Sequence, residues 1–268
     1  LFDLNLDTAL KEAALLVIDE ISMVSRSIIE DVLSFNVPIL VQGDPGQLPP
    51  VKSKSYFEGV EPDVCLTEIH RQAENSPIIY LATLARQGKS LPLGLHGDCL
   101  VTNQPNSELF MQADQIIVGM HKTRHKANAV VRKLLNYEGE MPNVGEKVIC
   151  RKNNSKLGLA NGDQFTVSSF NDLPNSNNQC MLGVRNESLW TTVRAWKHFF
   201  QKTEPNPWIQ KEAESFDLSY AITCHLAQGG AWPHVYVKDE SKVFRQDASK
   251  HLYTSLTRAS LKLTVQLT

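Results

Sequence analysis

The sequence predicts an α/β fold built on parallel β-sheets. Three observations predict it. Residues 14–18, ALLVI, form a continuous apolar run ending in Asp19-Glu20, the pattern of a buried parallel strand with acids at its carboxyl end. Residues 37–42, VPILVQ, repeat that pattern and run into GDPGQLPP, where Gly and Pro leave only a loop. Segments of helical period follow each run, and such alternation of strands and helices is how parallel sheets are made.

Taken in order, residues 25–35 suit a helix with Ile28, Ile29, Val32 and Leu33 on one face. Residues 75–87 suit another, capped by Asn75 or Ser76, with Pro77 at its first position and Gly88 as a stop. The stretch 89–108 is rich in Gly, Pro and polar residues and reads as a linker between two domains. DQIIVG at 114–119 is a strand. A basic helix follows over 122–136, its apolar side formed by Val130, Val131, Leu134 and Leu135, its exposed side by Lys122, Arg124, Lys126, Arg132 and Lys133. From about 145 to 200 the texture becomes short alternating strands around Asn161-Gly162, a hairpin signal. This region reads as a small inserted β-domain. Helix and strand texture resumes at about 216, with HVYVKD and LKLTVQL as strands.

Composition bounds the function classes. A chain of 268 residues suffices for two compact domains or one large one. No run of about 18 apolar residues occurs, so no membrane span is expected, and no basic segment followed by an apolar one opens the chain as a secretory signal would. The first residue is Leu, as in a trimmed start or a piece of a longer reading frame. The formal charge of -2 excludes wholesale coating of nucleic acid but leaves room for a local basic groove. Cys65, Cys99, Cys150, Cys180 and Cys224 form no CxxC pair, which argues against a zinc site or disulfide framework and for a reducing cytoplasm.

Two constellations point to phosphate chemistry. An acid pair beyond the carboxyl end of a parallel strand can hold Mg²⁺ and position a water for attack on a phosphate; a strand end with two solvated acids would look the same. A glutamine held in a proline-stiffened loop, Gln47 before Leu48-Pro49-Pro50, can hydrogen-bond a γ-phosphate or its attacking water; alone it would read as a Pro-rich turn.

These two segments, LLVIDEISMVS and VQGDPGQLPPV, resemble the Walker B and third motifs of superfamily 1B DNA helicases, the RecD/Dda group. Four more segments match in order: LTEIHRQAENSPIIYLATLARQGK, DQIIVGMHKTRHKAN, LSYAITCHLAQGGAWPHVYV and LYTSLTRA. The resemblance covers roughly residues 14–268. It implies RecA-like parallel sheets of the P-loop NTPase type. The remainder of a first, incomplete RecA-like domain would be 1–95. A second would be 109–144 plus 214–268, with a β-barrel-like insert at 145–213.

The resemblance also implies roles. Asp19 would bind Mg²⁺, Glu20 would activate water, and Gln47 would sense the γ-phosphate of ATP. Arg71 and Arg258 would be arginine fingers, and Gly229 and Gly230 would lie by the nucleotide. Thr223, His225, Arg124 and Asn128 would contact single-stranded DNA. A solvated basic face explains the helix from Lys122 to Lys133 equally well, and core packing is the better account of Trp190, Trp196 and Trp208. The activity implied is an ATP-dependent helicase translocating 5′ to 3′, with replication or recombination proteins as further partners. Two departures stand out. No GxxxxGK(S/T) loop occurs in the chain, so the half-sheet left would expose apolar edges and faces. Leu226 and Gly230-Ala231 replace the family's usual Lys and its Ser followed by Glu or Gln. A non-catalytic module that binds single-stranded DNA or a replication protein is the alternative.

Overall fold

The computed structural model describes residues 7–50, 56–57, 59–66, 76–105, 107–174, 176, 178–201 and 213–268. Arg71 and Trp208 lie outside them. The chain divides into two compact units, residues 1–105 with 228–268 and residues 106–227.

In the first unit, β1 (Leu16–Ile18) pairs in parallel with β2 (Ile39–Val41), and α1 (Arg26–Leu33) joins them. The two strands lie where the apolar runs predict them, but they are not buried. Leu15 and Val17 are 52% exposed and Leu40 is 47% exposed. Among the described residues no further strand flanks this pair, so its faces lack the cover that makes a parallel strand apolar throughout. Helix α2 (Pro77–Arg86) starts at Ser76 with Pro77 in its first turn, where a missing N–H costs nothing. It ends in paired bonds from Gly88 N to Ala85 O and from Lys89 N to Leu84 O, which satisfy the last carbonyls. Its buried face is Ile78, Leu81, Ala82 and Ala85.

The 89–108 segment is not a plain linker. It contains β3 (Gly94–His96) and β4 (Cys99–Thr102), an antiparallel pair. Gly and Pro mask the strands in the sequence; Cys99 and Val101 identify them in the fold by burying one face.

The second unit opens with α3 (Ser107–Gln112), β5 (Gln115–Val118) and α4 (His121–Leu134). Five strands follow or close it: β6 (Lys147–Cys150), β7 (Gln164–Asp172), β8 (Gln179–Arg185), β9 (Trp190–Trp196) and, after α5 (His198–Gln201), β10 (Phe216–Leu218). They form one antiparallel sheet in the order β10-β6-β7-β8-β9. Its core is Val148, Cys150, Phe165, Val167, Cys180, Leu182, Val184, Val193 and Phe216. Glu214, just ahead of β10, donates its N–H to Arg194 O at 2.7 Å and accepts at its carbonyl from Trp196 N at 3.0 Å, tying the two ends of the sheet together. The thiols here are structural: burial pushes Cys180 up to about 11, as it does Cys99 in the first unit. Strand β11 (Ala221–Thr223) runs parallel to β5 and leads into α6 (Cys224–Ala227).

The first unit is completed by β12 (Trp232–Lys238), α7 (Ala248–Leu256) and β13 (Ala259–Gln266). β13 pairs in parallel with both β12 and β4. His234, Val235, Tyr236 and Val237 are all buried, the signature of a strand covered on both faces. No described helix is long and apolar enough to cross a membrane.

Helix α4 corrects the sequence reading of its faces. Val130, Leu134 and Leu135 are exposed, whereas Arg124, Ala127, Asn128, Val131 and Arg132 are buried. Those five positions follow the i, i+3, i+4, i+7, i+8 stripe of a core-facing helix. Polar groups occupy the stripe because each has a fixed partner. Asn128 donates to Ala221 O at 2.9 Å and Arg124 O at 3.1 Å, and accepts from Ala221 N at 3.0 Å. Arg132 donates from Nε to Glu146 Oε1 at 2.9 Å, from Nη1 to Gly139 O at 2.7 Å and from Nη2 to Met141 O at 2.8 Å.

Candidate functional site

The carboxyl end of β1 places Asp19 and Glu20 at the start of a short helical turn, Ile21–Met23. Asp19 is exposed, and one of its oxygens accepts from Glu20 N at 2.8 Å. Glu20 holds a left-handed backbone at φ 51, ψ 46, a conformation in which the Cβ of a non-glycine residue crowds the next carbonyl. Its Oε2 is buried with no hydrogen-bond partner. An αL backbone and an unpartnered buried carboxylate oxygen thus coincide at this one residue.

Beyond β2 the GDPGQL loop folds on itself and then docks on α7. Gly46 N donates to Asp44 Oδ1 at 2.8 Å, and Gln47 N donates to Asp44 O at 3.0 Å. The other Asp44 oxygen accepts from Tyr253 Oη at 2.6 Å. Burial, then the Asp44 carboxylate, pushes the Tyr253 phenol up to about 12. Leu48 N donates to Thr254 Oγ1 at 3.0 Å, and Leu48 O accepts from Gln228 Nε2 at 3.0 Å. These bonds hold Gln47 nearly buried, with Oε1 unpartnered.

Arg258 lies one turn beyond on the same anchor. Its Nε donates to Thr254 O at 3.1 Å, its Nη1 to Gly230 O at 3.2 Å and its Nη2 to Thr257 Oγ1 at 3.1 Å. Thr254 thus joins two motifs: its hydroxyl receives the Gln47-Leu48 loop and its carbonyl receives Arg258. The loop that Arg258 holds contains Gly229 at φ +76 and Gly230, where an added Cβ would come within 2.5 Å of the Trp232 ring. Both positions require glycine.

The structure therefore gathers Gln47, Arg258 and Gly230 around Thr254. Asp19 and Glu20 stand at the end of β1, the strand paired with β2. Arg71 lies outside the described residues. Asp44, Tyr253 and Thr254 are the anchors that residue-level reading left without a role; the Tyr-Thr pair stands inside the LYTSLTRA segment, but bonds across about two hundred residues leave no local signal.

The expected DNA-contacting residues lie in the second unit. Thr223 ends β11, opposite Val118 at the end of β5, and is buried; His225 is half-buried in α6. Arg124 is buried and pairs through Nη2 with Asp217 Oδ2 at 2.6 Å. The amide of Asn128 is occupied by backbone groups, as described above. Trp196 is buried, and Trp190 is 76% exposed.

The residues fit a hydrated metal–nucleotide. Asp19 offers an exposed carboxylate, and Glu20 and Gln47 each keep an unpartnered buried oxygen. One or two carboxylates plus substrate phosphates are what Mg²⁺ takes from such a protein site.

Comparison with known proteins agrees with this geometry. Residues 218–265 match the UvrD-like helicase C-terminal domain, and residues 3–96 match an AAA domain. The ATP-dependent RecD2 DNA helicase of Deinococcus radiodurans is 26% identical over 265 residues, covering 91% of this chain. The chain spans only 35% of that relative's length. In fold it is similar to the Pif1 helicase of Candida albicans, with a TM-score of 0.59 and 20% identity over 96% of this chain and 72% of that one. A Bacteroides Pif1 helicase in complex with ADP-AlF3 and ssDNA gives a TM-score of 0.57 at 20% identity, covering 96% of this chain and 71% of that one. Motifs, family matches and fold together make this chain similar to the carboxy-terminal part of a superfamily 1B helicase motor.

Proposed function

We propose that these residues are the carboxy-terminal part of an ATP-dependent DNA helicase motor that moves 5′ to 3′ along single-stranded DNA. One observation carries the reading: Thr254 receives Leu48 N at one end and Arg258 Nε at the other, joining two motifs about two hundred residues apart. Such a junction couples a γ-phosphate sensor to a phosphate-binding arginine. Support also comes from the relatives, among which a RecD2 enzyme is ATP-dependent and a Pif1 enzyme is captured with ADP-AlF3 and ssDNA.

In this reading Glu20 orients and deprotonates the attacking water with its unpartnered Oε2. Gln47 hydrogen-bonds the γ-phosphate, and Arg258 turns from the Gly230 carbonyl toward the charge that develops on the transferring group. Arg71 is the second arginine. Mg²⁺ held by Asp19 supplies neutralisation of phosphate charge. Gly229 and Gly230 let the backbone approach the nucleotide. Thr223, His225, Arg124 and Asn128 line the DNA side, where phosphate contacts position a strand without reading its sequence. The domain division carried into this reading is 1–95, 109–144 with 214–268, and a barrel-like insert at 145–213. Replication or recombination proteins are its partners, and the cytoplasm is its compartment. The 268 residues contain no GxxxxGK(S/T) loop, and in this reading they alone hydrolyse no ATP.

The test is strand displacement by the protein in which these residues occur. With ATP, a duplex carrying a 5′ single-stranded tail is unwound and one carrying a 3′ tail is not. Unwinding of the 3′-tailed duplex alone would overturn the polarity. Failure on both, with no ATP hydrolysis, would overturn the motor and leave the non-catalytic module.

A further inference from the structure

Among the described residues of the second unit, Arg124, Arg151 and His121 gather near one carboxylate, Asp217. Strand β6 and strand β10 pair antiparallel, with Cys150 opposite Phe216 and Ile149 opposite Asp217. Cys150 and Phe216 face the core of the five-stranded sheet. By the two-residue alternation of a strand, Asp217 and Arg151 face the opposite side. Arg151 continues the ladder, its N–H donating to Ser215 O at 2.7 Å. On that side lies Arg124 of α4, whose Nη2 sits 2.6 Å from Asp217 Oδ2. His121, the first residue of α4, joins them: burial lowers its pKa first, then the charges of Arg124 and Arg151, with Asp217 opposing. Burial and then Arg124 likewise press on the Arg151 guanidinium.

Arg124 Nη2 also lies 3.2 Å from His125 Nε2, and the charge of Asp217 acts on Arg151 as well. Arg124 Nε and Nη1 and Arg151 Nη1 are buried without a hydrogen-bond partner. The Arg124 side chain is only 4% exposed. Buried guanidinium nitrogens are rarely left unpaired in folded proteins; water or an anion satisfies them. The positive end of α4, a fourteen-residue helix, adds to the same field. The ends of β5 and β11, with His225 just beyond, lie on the same edge of the parallel pair from which α4 starts.

We infer that Arg124, Arg151 and His121 form a phosphate-class oxyanion site, occupied in the motor by one backbone phosphate of single-stranded DNA. The occupant rests on the function proposed above; the anion site does not. A planar guanidinium pair fits two phosphate oxygens at once. His121 is exposed and stands at the first residue of α4. Arg151 stands on the strand next to β10, so the sheet of the second unit grips the strand as well as α4 does.

The test follows the His121 ring by heteronuclear NMR in the 268-residue chain, with inorganic sulfate and a short oligothymidylate as separate probes. Sulfate, a dianion throughout the titration, raises the His121 midpoint by about one pH unit, and Arg151→Gln removes that rise. The oligothymidylate raises it too, and Arg151→Gln weakens oligothymidylate binding roughly tenfold while lowering the salt slope by about one. Arg151→Gln is chosen because Arg124 also holds Asp217 and its loss could unfold the unit; Arg151→Lys restores part of the binding. If sulfate leaves His121 unmoved, and oligothymidylate binds wild type and Arg151→Gln alike, the site is wrong while DNA binding stands. A response to sulfate with no oligothymidylate binding keeps the anion site, assigns it to a free phosphate, and counts against the motor.

Discussion

The resemblance implies a water-activating role for Glu20, and the fold holds it in a left-handed backbone with an unpartnered Oε2. Holding a non-glycine residue there costs roughly 1–2 kcal/mol, and asparagine tolerates it better. Glu20→Asn is therefore expected to raise stability by about 0.5 kcal/mol in denaturant titration, while ATP turnover by the motor is lost. Tyr253 is a second residue with a readable signature. Its phenol, pushed up to about 12 by burial and by Asp44, favours the protonated form in the fold. Its contribution to stability is thus fully present below pH 10, the ordinary phenol value, and is lost as pH rises from 10 through about 12. The ultraviolet difference between wild type and Tyr253→Phe is expected to titrate near 12, and the variant to lose about 1–2 kcal/mol. A difference spectrum titrating at 10 would show that Asp44 does not hold the phenol. Asp19, Glu20, Gln47 and Arg258 can be singled out from the sequence because each stands in a short motif with a chemical reason. Asp44, Tyr253 and Thr254 were not, because their bonds to one another join distant parts of the chain.

At the scale of elements, apolar runs and caps located β1, β2, α1, α2 and β5 closely. Burial was harder to read. The sequence marks β1 as buried, yet Val17 is half-exposed; an apolar run records what a strand is built to touch, not what covers it among the described residues. Helix α4 shows the converse. Its basic residues read as a solvated face, but Arg124 and Arg132 are inside, because Asp217 of the distant β10 pairs with the first and Glu146, just ahead of β6, with the second. Glu146 is fully buried and accepts from Arg132, from Asn143 N at 2.8 Å and from Tyr220 Oη at 3.3 Å. Removing one partner of such a pair leaves an uncompensated charge. Glu146→Ala is expected to cost roughly 3–5 kcal/mol in denaturant titration, whereas Lys133→Ala, on the exposed face of the same helix, should stay within about 0.5 kcal/mol. Equal effects would mean that the pair does not anchor the turn after α4. The Gly229-Gly230 loop gives a further check: Gly230→Ala would press a methyl into the Trp232 ring, displacing the carbonyl that Arg258 holds, and is expected to lower ATP turnover more than stability.

At the scale of the molecule, the order of six motifs conveyed fold class and ancestry, since each motif needs its place relative to strands that only a parallel α/β sheet provides. What the sequence could not convey was the exposed β1–β2 pair, the strands hidden in the 89–108 segment, and the cation cluster of the second unit. All three depend on which segments meet, not on local pattern. In the proposed motor the end of β1, the Gln47 loop and Arg258 form one ATP site. The most direct measurement is single-stranded DNA-stimulated ATP hydrolysis by the protein containing these residues, compared among wild type, Glu20→Gln and Arg258→Ala. The account predicts turnover that rises with DNA and falls about a thousand-fold in either variant. Turnover unchanged by both substitutions would contradict it.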